Sequence, residues 1–237
     1  MKTLLCLILT PLPSLIWLAF YLRKDKHPEP NRLVIKIFLL GVLAVPVAGL
    51  LEFLLSLTSQ KISLFNKLVF IVIGFALIEE VLKYLVVRFG ILKNPEFDEP
   101  VDAMIYLIIS ALGFAAAENI YLLSIIRPST INTILEFITT RFLGATFLHA
   151  LASGIAGYFL AASLLIASKI RKILIWGGIL GATILHSVFN YIILLSSREI
   201  LDTMTRNLYL LILLSVMALL ISFMFKKINK YRSICKI

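Results

Sequence analysis

The sequence predicts an all-α, polytopic membrane protein whose transmembrane helices form one bundle. Hydrophobic residues make up 60% of the 237 residues and charged residues only 15%, and the mean hydropathy is +1.00. Soluble domains are about half apolar and about a quarter charged. The apolar residues here form long runs, and a helix of about 20 such residues crosses the hydrocarbon core of a bilayer. We identify about seven such runs and predict a single transmembrane domain over residues 1–237.

The first two predicted spans cover residues 4–22 and 34–57. The first has no small-x-small cleavage site at its end, and we interpret it as a retained span rather than a removed signal peptide. A loop rich in charge and proline, residues 23–32, separates the two spans. In the second span, Pro46 and Gly49 are expected to bend the helix.

Span three, residues 64–87, carries three charged side chains within an apolar run: Glu79, Glu80 and Lys83. A charge at the centre of a transmembrane helix costs about 2.5 to 3.5 kcal/mol. Lys83 lies one turn from both glutamates and can neutralise one of them. The other glutamate is left without a partner on its own helix, which predicts a function for it.

Spans four to six each add polar groups at depths predicted to lie near the middle of the membrane. They cover residues 101–126, 137–168 and 173–195, and the catalytic core is predicted over residues 64–195. Several carboxylates, two imidazoles and a terminal amide are costly in an apolar bundle unless they build a site. The polar residues in chain order are Asp102, Glu118, Asn119, His149, His186 and Asn190.

Span seven, residues 208–225, is free of charge, and a basic tail follows at residues 226–237. Lys and Arg number 14 in the first, third and fifth loops and the tail, against 7 on the opposite side. The positive-inside bias therefore predicts a multi-pass protein of the cell membrane with a cytoplasmic C-terminus and an external N-terminus. The net charge of +10 reflects this topology, and we do not expect nucleic-acid binding. Cys6 and Cys235 are predicted on opposite faces, so no disulfide is expected between them.

The polar set suits hydrolysis of an amide bond by activated water. A carboxylate beside a second carboxylate in a low dielectric holds a proton more tightly and can act as a general base near neutral pH. Glu79 and Glu80 are the candidates, and the sequence does not separate them. An imidazole would orient the water or protonate the leaving nitrogen. Asn190 would donate to the developing oxyanion.

A metal centre is an alternative use of the same polar set. Glu118, His149 and His186 are of the types that hold zinc, which would leave Glu79 or Glu80 as the base. No HExxH motif is present. The residues leave open whether the water is bound to zinc or is activated by glutamate alone.

Separated motifs make the chain resemble the PrsW family of intramembrane proteases, which is distantly related to the CAAX prenyl endopeptidases. The loop Asp25-Lys26-His27-Pro28-Glu29-Pro30 and Asp102 are also similar to that family, and the similarity covers residues 15–195. The main motifs are Glu79-Glu80-Val81-Leu82-Lys83, Gly113-Phe114-Ala115-Ala116-Ala117-Glu118-Asn119, His149, and His186-Ser187-Val188-Phe189-Asn190.

The resemblance implies a membrane-embedded protease that cuts a single-span membrane protein, such as an anti-sigma factor, near the membrane surface. Under it, a glutamate of span three activates water, polar groups of spans four to six position the water or a metal, and an amide stabilises the oxyanion. The catalytic residues implied are Glu79, Glu80, Glu118, His149, His186 and Asn190, and the supporting residues are Lys83, Asn119 and Asp102.

Two other functions use buried carboxylates and histidines. A proton-coupled transporter or channel would use them as a proton relay and would favour inverted repeats with broken helices, of which the sequence has no matching pair. A haem protein would use His149 and His186 as axial ligands. The sequence favours the protease over both.

Overall fold

Long apolar runs fold into helices here because, in lipid, each backbone polar group must be satisfied within its own segment. The structure is a computed structural model that describes residues 9–25, 27–59, 64–126, 130–166 and 170–231. Its helices are α1 Leu12–Leu22, α2 Asn31–Thr58, α3 Leu64–Gly90, α4 Pro100–Ile126, α5 Ile131–Leu143, α6 Ala145–Leu164, α7 Ile170–Ser197 and α8 Thr203–Ile228.

The predicted all-α membrane bundle is confirmed. Among the described residues, five helical segments are long and apolar enough to cross a membrane, namely α2, α4, α5 with α6, α7 and α8. Helix α3 is also 27 residues long but carries the charged cluster, and α1 is an apolar helix of 11 residues. The seven predicted spans correspond to α1, α2, α3, α4, α5 with α6, α7 and α8. The predicted start of the first span and both cysteines lie outside the described residues.

Helix α4 lies at the centre of the bundle. In its most apolar stretch 94% of the residues are buried, against 22% in α8. Close backbone contacts hold it on two sides: a Cβ atom on Gly113 would lie 2.1 Å from the carbonyl oxygen of Phe38 in α2, and one on Gly157 of α6 would lie 2.6 Å from the Cα atom of Met104. Larger residues at these two glycines would push the helices apart, and α4 is the element against which the site is built.

The fifth predicted span differs from the structure, which breaks it into α5 and α6 at Gly144. Helix α5 begins earlier than predicted, at Ile131, where Thr130 and Thr133 form a reciprocal capping box. Trp17 of α1 donates its indole N–H to the carbonyl oxygen of Phe142 at 2.9 Å and stacks on Phe147 with ring centroids 4.1 Å apart. This contact holds the break, which places His149 in the second turn of α6.

Candidate active site

Lys83 of α3 is fully buried and joins three partners. Its ammonium group donates to Glu80 Oε1 at 2.8 Å and to His149 Nδ1 at 2.9 Å, and it lies 3.4 Å from Glu79 Oε2. An ammonium group has three donors and no acceptor, so this geometry uses its full capacity. The predicted pairing of Lys83 with a glutamate of its own helix is present, but Lys83 lies within reach of both glutamates, so the expectation that one of them has no partner on α3 is wrong.

Glu80 is saturated with hydrogen bonds. Its Oε1 accepts from Lys83 and from His186 Nδ1 at 2.9 Å, and its Oε2 accepts from the hydroxyl of Ser153 at 3.1 Å. Its side chain is only 1% exposed. Glu80 therefore ties α3 to α6 and α7, and it has little remaining capacity to take a proton from water.

Glu79 has a freer environment. Its Oε2 lies 3.8 Å from His149 Nδ1 and 3.9 Å from His186 Nε2, and its side chain is 11% exposed. Within the described part of the chain, its ion pairs within 4 Å all involve Oε2, and Oε1 has no hydrogen-bond partner. Glu79 is thus the carboxylate of α3 that has an oxygen available for a water molecule.

The two histidines are held in defined tautomers. The Lys83 ammonium cannot accept a hydrogen bond, so His149 Nδ1 is the acceptor and its Nε2–H donates to Glu118 Oε2 at 3.0 Å. His186 donates its Nδ1–H to Glu80, and its Nε2 lies 3.9 Å from Glu79 Oε2. The two rings meet edge to face with centroids 5.0 Å apart.

Glu118 and Asn119 of α4 are bridged by Arg141 of α5. The guanidinium group donates to Glu118 Oε2 and to Asn119 Oδ1, and Asn119 Nδ2 donates to the hydroxyl of Thr146 at 3.1 Å. The Glu118 side chain is 26% exposed. The count of Lys and Arg in alternate loops includes Arg141 as a loop residue, although Arg141 falls inside the fifth predicted span. A lone arginine within a predicted span is the signal that would have identified it.

The structure gives three polar residues positions that the sequence did not predict. Ser153 reads as a packing residue in the sequence, but it donates to Glu80. Asn190, the predicted oxyanion donor, is half-buried one turn beyond His186, and its side chain makes no hydrogen bond to any described residue. Asp102 lies at the start of α4, sixteen residues before Glu118, which is about 24 Å along a helix axis. The structure therefore separates Asp102 from the cluster.

Asp102 belongs instead to a second acidic group, where the first loop packs on the start of α4. Carboxylate oxygens of Asp25, Glu29 and Asp102 lie within 4.8 Å of one another. Glu29 Oε2 accepts from the Tyr106 hydroxyl at 2.6 Å, and Asp102 Oδ2 accepts from the backbone N–H groups of Asp98 and Glu99 at 2.9 and 2.8 Å. These contacts fasten the first loop to the third loop and position α4.

Replacing Glu29 by glutamine should stabilise the protein more as the pH rises. Burial, with the charges of Asp25 and Asp98, raises the pKa of Glu29, partly opposed by its hydrogen bond from Tyr106. The folded state then holds the Glu29 proton more tightly than the unfolded chain, so the stability of the wild type falls as the pH rises through this pKa. The unfolding temperature of Glu29→Gln in detergent should exceed that of the wild type at about pH 8, with a smaller difference at about pH 5.

The control for this prediction is Glu96→Gln, which removes an exposed carboxylate 3.7 Å from Arg32. Exposed pairs contribute little to stability, and the difference from the wild type should stay small at both pH values. A Glu29→Gln variant whose advantage is independent of pH would contradict the interpretation.

A metal ion fits three side chains of the cluster. One ligand atom from each of Glu79, His149 and His186 lies within 4.8 Å of the other two. A carboxylate and two imidazoles are a known catalytic zinc donor set, and the bond from His186 to Glu80 is the carboxylate–histidine arrangement that orients a metal-binding imidazole. The sequence expectation had Glu118 in place of Glu79. In the structure Glu118 Oε2 contacts Arg141 and His149 Nε2. Lys83 would release His149 Nδ1 when a metal binds.

Comparison with known proteins places the chain in a family. The family model described as PrsW family intramembrane metalloprotease matches residues 29–220, a range that contains the whole cluster. The chain belongs to the PrsW family. It is 32% identical to Protease PrsW of Geobacillus kaustophilus over 76% of this chain and 75% of that protein. It is also 32% identical to Protease PrsW of Oceanobacillus iheyensis, over 76% and 79%, and 28% identical to that of Bacillus subtilis, over 76% and 79%.

Membership of the PrsW family makes this protein an intramembrane endopeptidase with a multi-pass topology. Its substrate is accordingly a protein in the membrane. The family description also makes it a metalloprotease, which agrees with the Glu79, His149 and His186 geometry. The comparison favours the protease over the transporter, channel and haem alternatives. No solved structure gives a significant match to the chain.

Proposed function

We propose that this PrsW-type protease activates its water at Glu79, between His149 and His186, and that Glu80 and Lys83 position those groups without taking part in proton transfer. The observation that supports this proposal is the contrast between the two neighbouring glutamates. Glu80 accepts three hydrogen bonds and is buried, whereas Glu79 Oε1 has no partner among the described residues. A general base needs an oxygen within hydrogen-bond reach of water.

In this mechanism, Glu79 Oε1 takes a proton from water as the oxygen attacks the scissile carbonyl carbon. The tetrahedral intermediate collapses with cleavage of the C–N bond, and Glu79 returns the proton to the leaving amine. The side-chain amide of Asn190, one turn from His186, would donate to the oxyanion. Glu80 orients the His186 ring through its Nδ1–H, and Lys83 holds Glu80 and, without a metal, His149 Nδ1.

Glu79 Oε2, His149 and His186 would hold the metal ion that the family description implies, and zinc is the ion that this donor set suits. Zinc bound there would act as a Lewis acid and would lower the pKa of a bound water molecule. The remaining proton transfers belong to the protein's own groups, and Glu79 Oε1 stays available for them.

The purified protein should contain about one zinc ion per chain. His149→Ala and His186→Ala should each lose most of this zinc, because each removes one of three ligands. Metal content is measured on detergent-purified protein by elemental analysis, with cleavage measured before and after chelation and after zinc is restored.

The remaining histidine of the chain, His27, gives a matched control for the zinc measurement. It is exposed in the first loop, where its Nδ1 lies 2.8 Å from Glu99, so His27→Ala should keep the metal. Full cleavage by metal-free protein, insensitive to chelators, would show that glutamate activates water without zinc.

The proposed substrate is a single-span membrane protein, such as an anti-sigma factor, cut near the membrane surface. The proposed location is the cell membrane, with the C-terminus and the basic tail in the cytoplasm. The distribution of Lys and Arg between alternate loops supports this orientation, and the resemblance to the PrsW family supports the substrate class.

A further inference from the structure

A groove lies between α2 and α4 on the side of the bundle that faces lipid. We call it the α2–α4 groove. It has a volume of about 750 Å³, within the usual range of ligand pockets, and its lining includes Pro46, Gly49, Glu52, Phe53, Ala117 and Tyr121. A volume of this size holds several residues of an extended peptide.

The groove arises because the second half of α2 leaves α4. Up to Ala48, α2 has buried residues at regular intervals, and beyond it the rest of the helix has none. Pro46 lies just before this point, and proline removes a backbone hydrogen bond from the helix. The second half of α2 packs on α3: a Cβ atom on Gly74 would lie 2.3 Å from Leu55 Cδ2. The side facing α4 is left open.

Both walls of the groove carry residues that are close along their helices to residues of the catalytic cluster. On α4, the lining residue Ala117 directly precedes Glu118, whose side chain is the most exposed carboxylate of the cluster at 26%. On α3, the lining residue Phe75 lies one turn before Glu79 and shares its helix face. A chain lying in the groove would therefore reach the oxygen proposed as the base.

Glu52 places a carboxylate in this apolar groove, and no described residue donates a hydrogen bond to it. It is half-buried, and its carboxylate makes no hydrogen bond to any described residue, although it is near enough to Glu79 and Glu118 to interact with them electrostatically. Ser56 lies one turn further on the same face. Ionisable residues within membrane helices usually have a partner. Here the missing partner is a donor that arrives in the groove.

A protease substrate supplies such donors. A transmembrane helix has its backbone N–H groups satisfied, but the stretch to be cut must unwind, and each N–H group freed in lipid then needs an acceptor. Glu52 and Ser56 form a short polar strip on a wall that is otherwise apolar. This matches an extended peptide with apolar side chains better than it matches a lipid chain, which has no donors.

We propose that the α2–α4 groove is the lateral entrance through which the unwound part of the substrate's membrane segment reaches Glu79, an inference that rests on the proposed function. In the groove, Glu52 accepts hydrogen bonds from the backbone of that segment. Glu52 is a positioning residue in this arrangement and does not touch the scissile bond.

Gly49→Trp tests the entrance because it fills the groove without disturbing the bundle. A Cβ atom at Gly49 meets nothing within 4 Å. Cleavage of a co-reconstituted single-span substrate should fall by about tenfold or more, since a displaced substrate loses its reacting geometry. Gly177→Trp on α7 is the matched control: its Cβ also meets nothing within 4 Å, and cleavage should stay within about twofold of the wild type. Unfolding temperatures in detergent are measured for both variants.

A crosslinking experiment reports binding separately from turnover. A photo-crosslinking amino acid at Phe53, in protein that also carries Glu79→Gln, should form an adduct with the substrate. The same amino acid at Leu219, which is 72% exposed on α8, should not. Equal adducts at both positions, or adducts with lipid only at position 53, would overturn the proposal. So would a stable Gly49→Trp variant that cleaves like an active wild type. Wild-type protein that cleaves no single-span substrate would refute the proposed function instead.

Substitutions of Glu52 separate backbone recognition from charge recognition. Glu52→Gln keeps an oxygen acceptor and should retain cleavage within about threefold, whereas Glu52→Leu should raise KM with less effect on kcat, as expected for a group that binds the substrate equally in the ground and transition states. An equal loss in both variants would show that the groove recognises a positive charge, and the backbone role would be wrong.

Discussion

Glu79→Gln should lower the rate of substrate cleavage by roughly a hundred- to ten-thousand-fold, the range that general acid–base catalysis contributes. The amide has nearly the same shape as the carboxylate but cannot take a proton from water. Since Glu79 has one contact, at 3.4 Å, with Lys83 and only longer ones with the histidines, the variant should fold. The measurement is cleavage of a single-span substrate co-reconstituted in vesicles at equal protein content.

Two further variants make this prediction specific. Glu136→Gln makes the same change on the exposed face of α5 and should leave the cleavage rate unchanged. Glu80→Gln should lower the unfolding temperature as well as the cleavage rate, because the amide has no negative charge to pair with Lys83 and offers only one oxygen to the donors that now contact two. Full activity in Glu79→Gln, with activity lost in a stable Glu80→Gln, would reverse the roles of the two glutamates.

Lys83→Met should produce the largest loss of stability, about 3 to 5 kcal/mol, which is the usual cost of removing one partner from a buried ion pair. Glu80 is 1% exposed and would lose its counter-ion, and His149 Nδ1 would lose its donor. The measurement is the unfolding temperature and the folded yield in detergent, compared with the wild type.

A second substitution tests whether the loss comes from uncompensated charge. Adding Glu80→Gln to Lys83→Met removes the negative charge left behind, and the double variant should recover part of the stability. The control Lys172→Met removes an exposed lysine from the first turn of α7 and should have little effect. An unchanged unfolding temperature in Lys83→Met would contradict the buried network.

Much of the fold could be predicted from the sequence, because the thickness of the bilayer sets the length of a spanning helix and an apolar run of that length is visible in the sequence. The break at Gly144 could not, since the contact that holds it joins Trp17 to Phe142 and Phe147, more than a hundred residues away. The sequence predicts a bend in α2 at Pro46, but only the packing of Leu55 on Gly74 shows that the second half of this helix lies against α3.

The sequence by itself predicted which side chains form the polar cluster, because a carboxylate or imidazole within an apolar run is costly unless it has partners. Five of the six predicted catalytic residues lie in one hydrogen-bonded or closely spaced group, and Asn190 lies one turn from it. The tertiary structure alone decided the different environments of the two glutamates. Glu79 and Glu80 are chemically identical neighbours, and only Ser153 and His186 from other helices saturate one and leave the other free. Arg141 and the separation of Asp102 likewise depend on how helices pack, which no local pattern encodes.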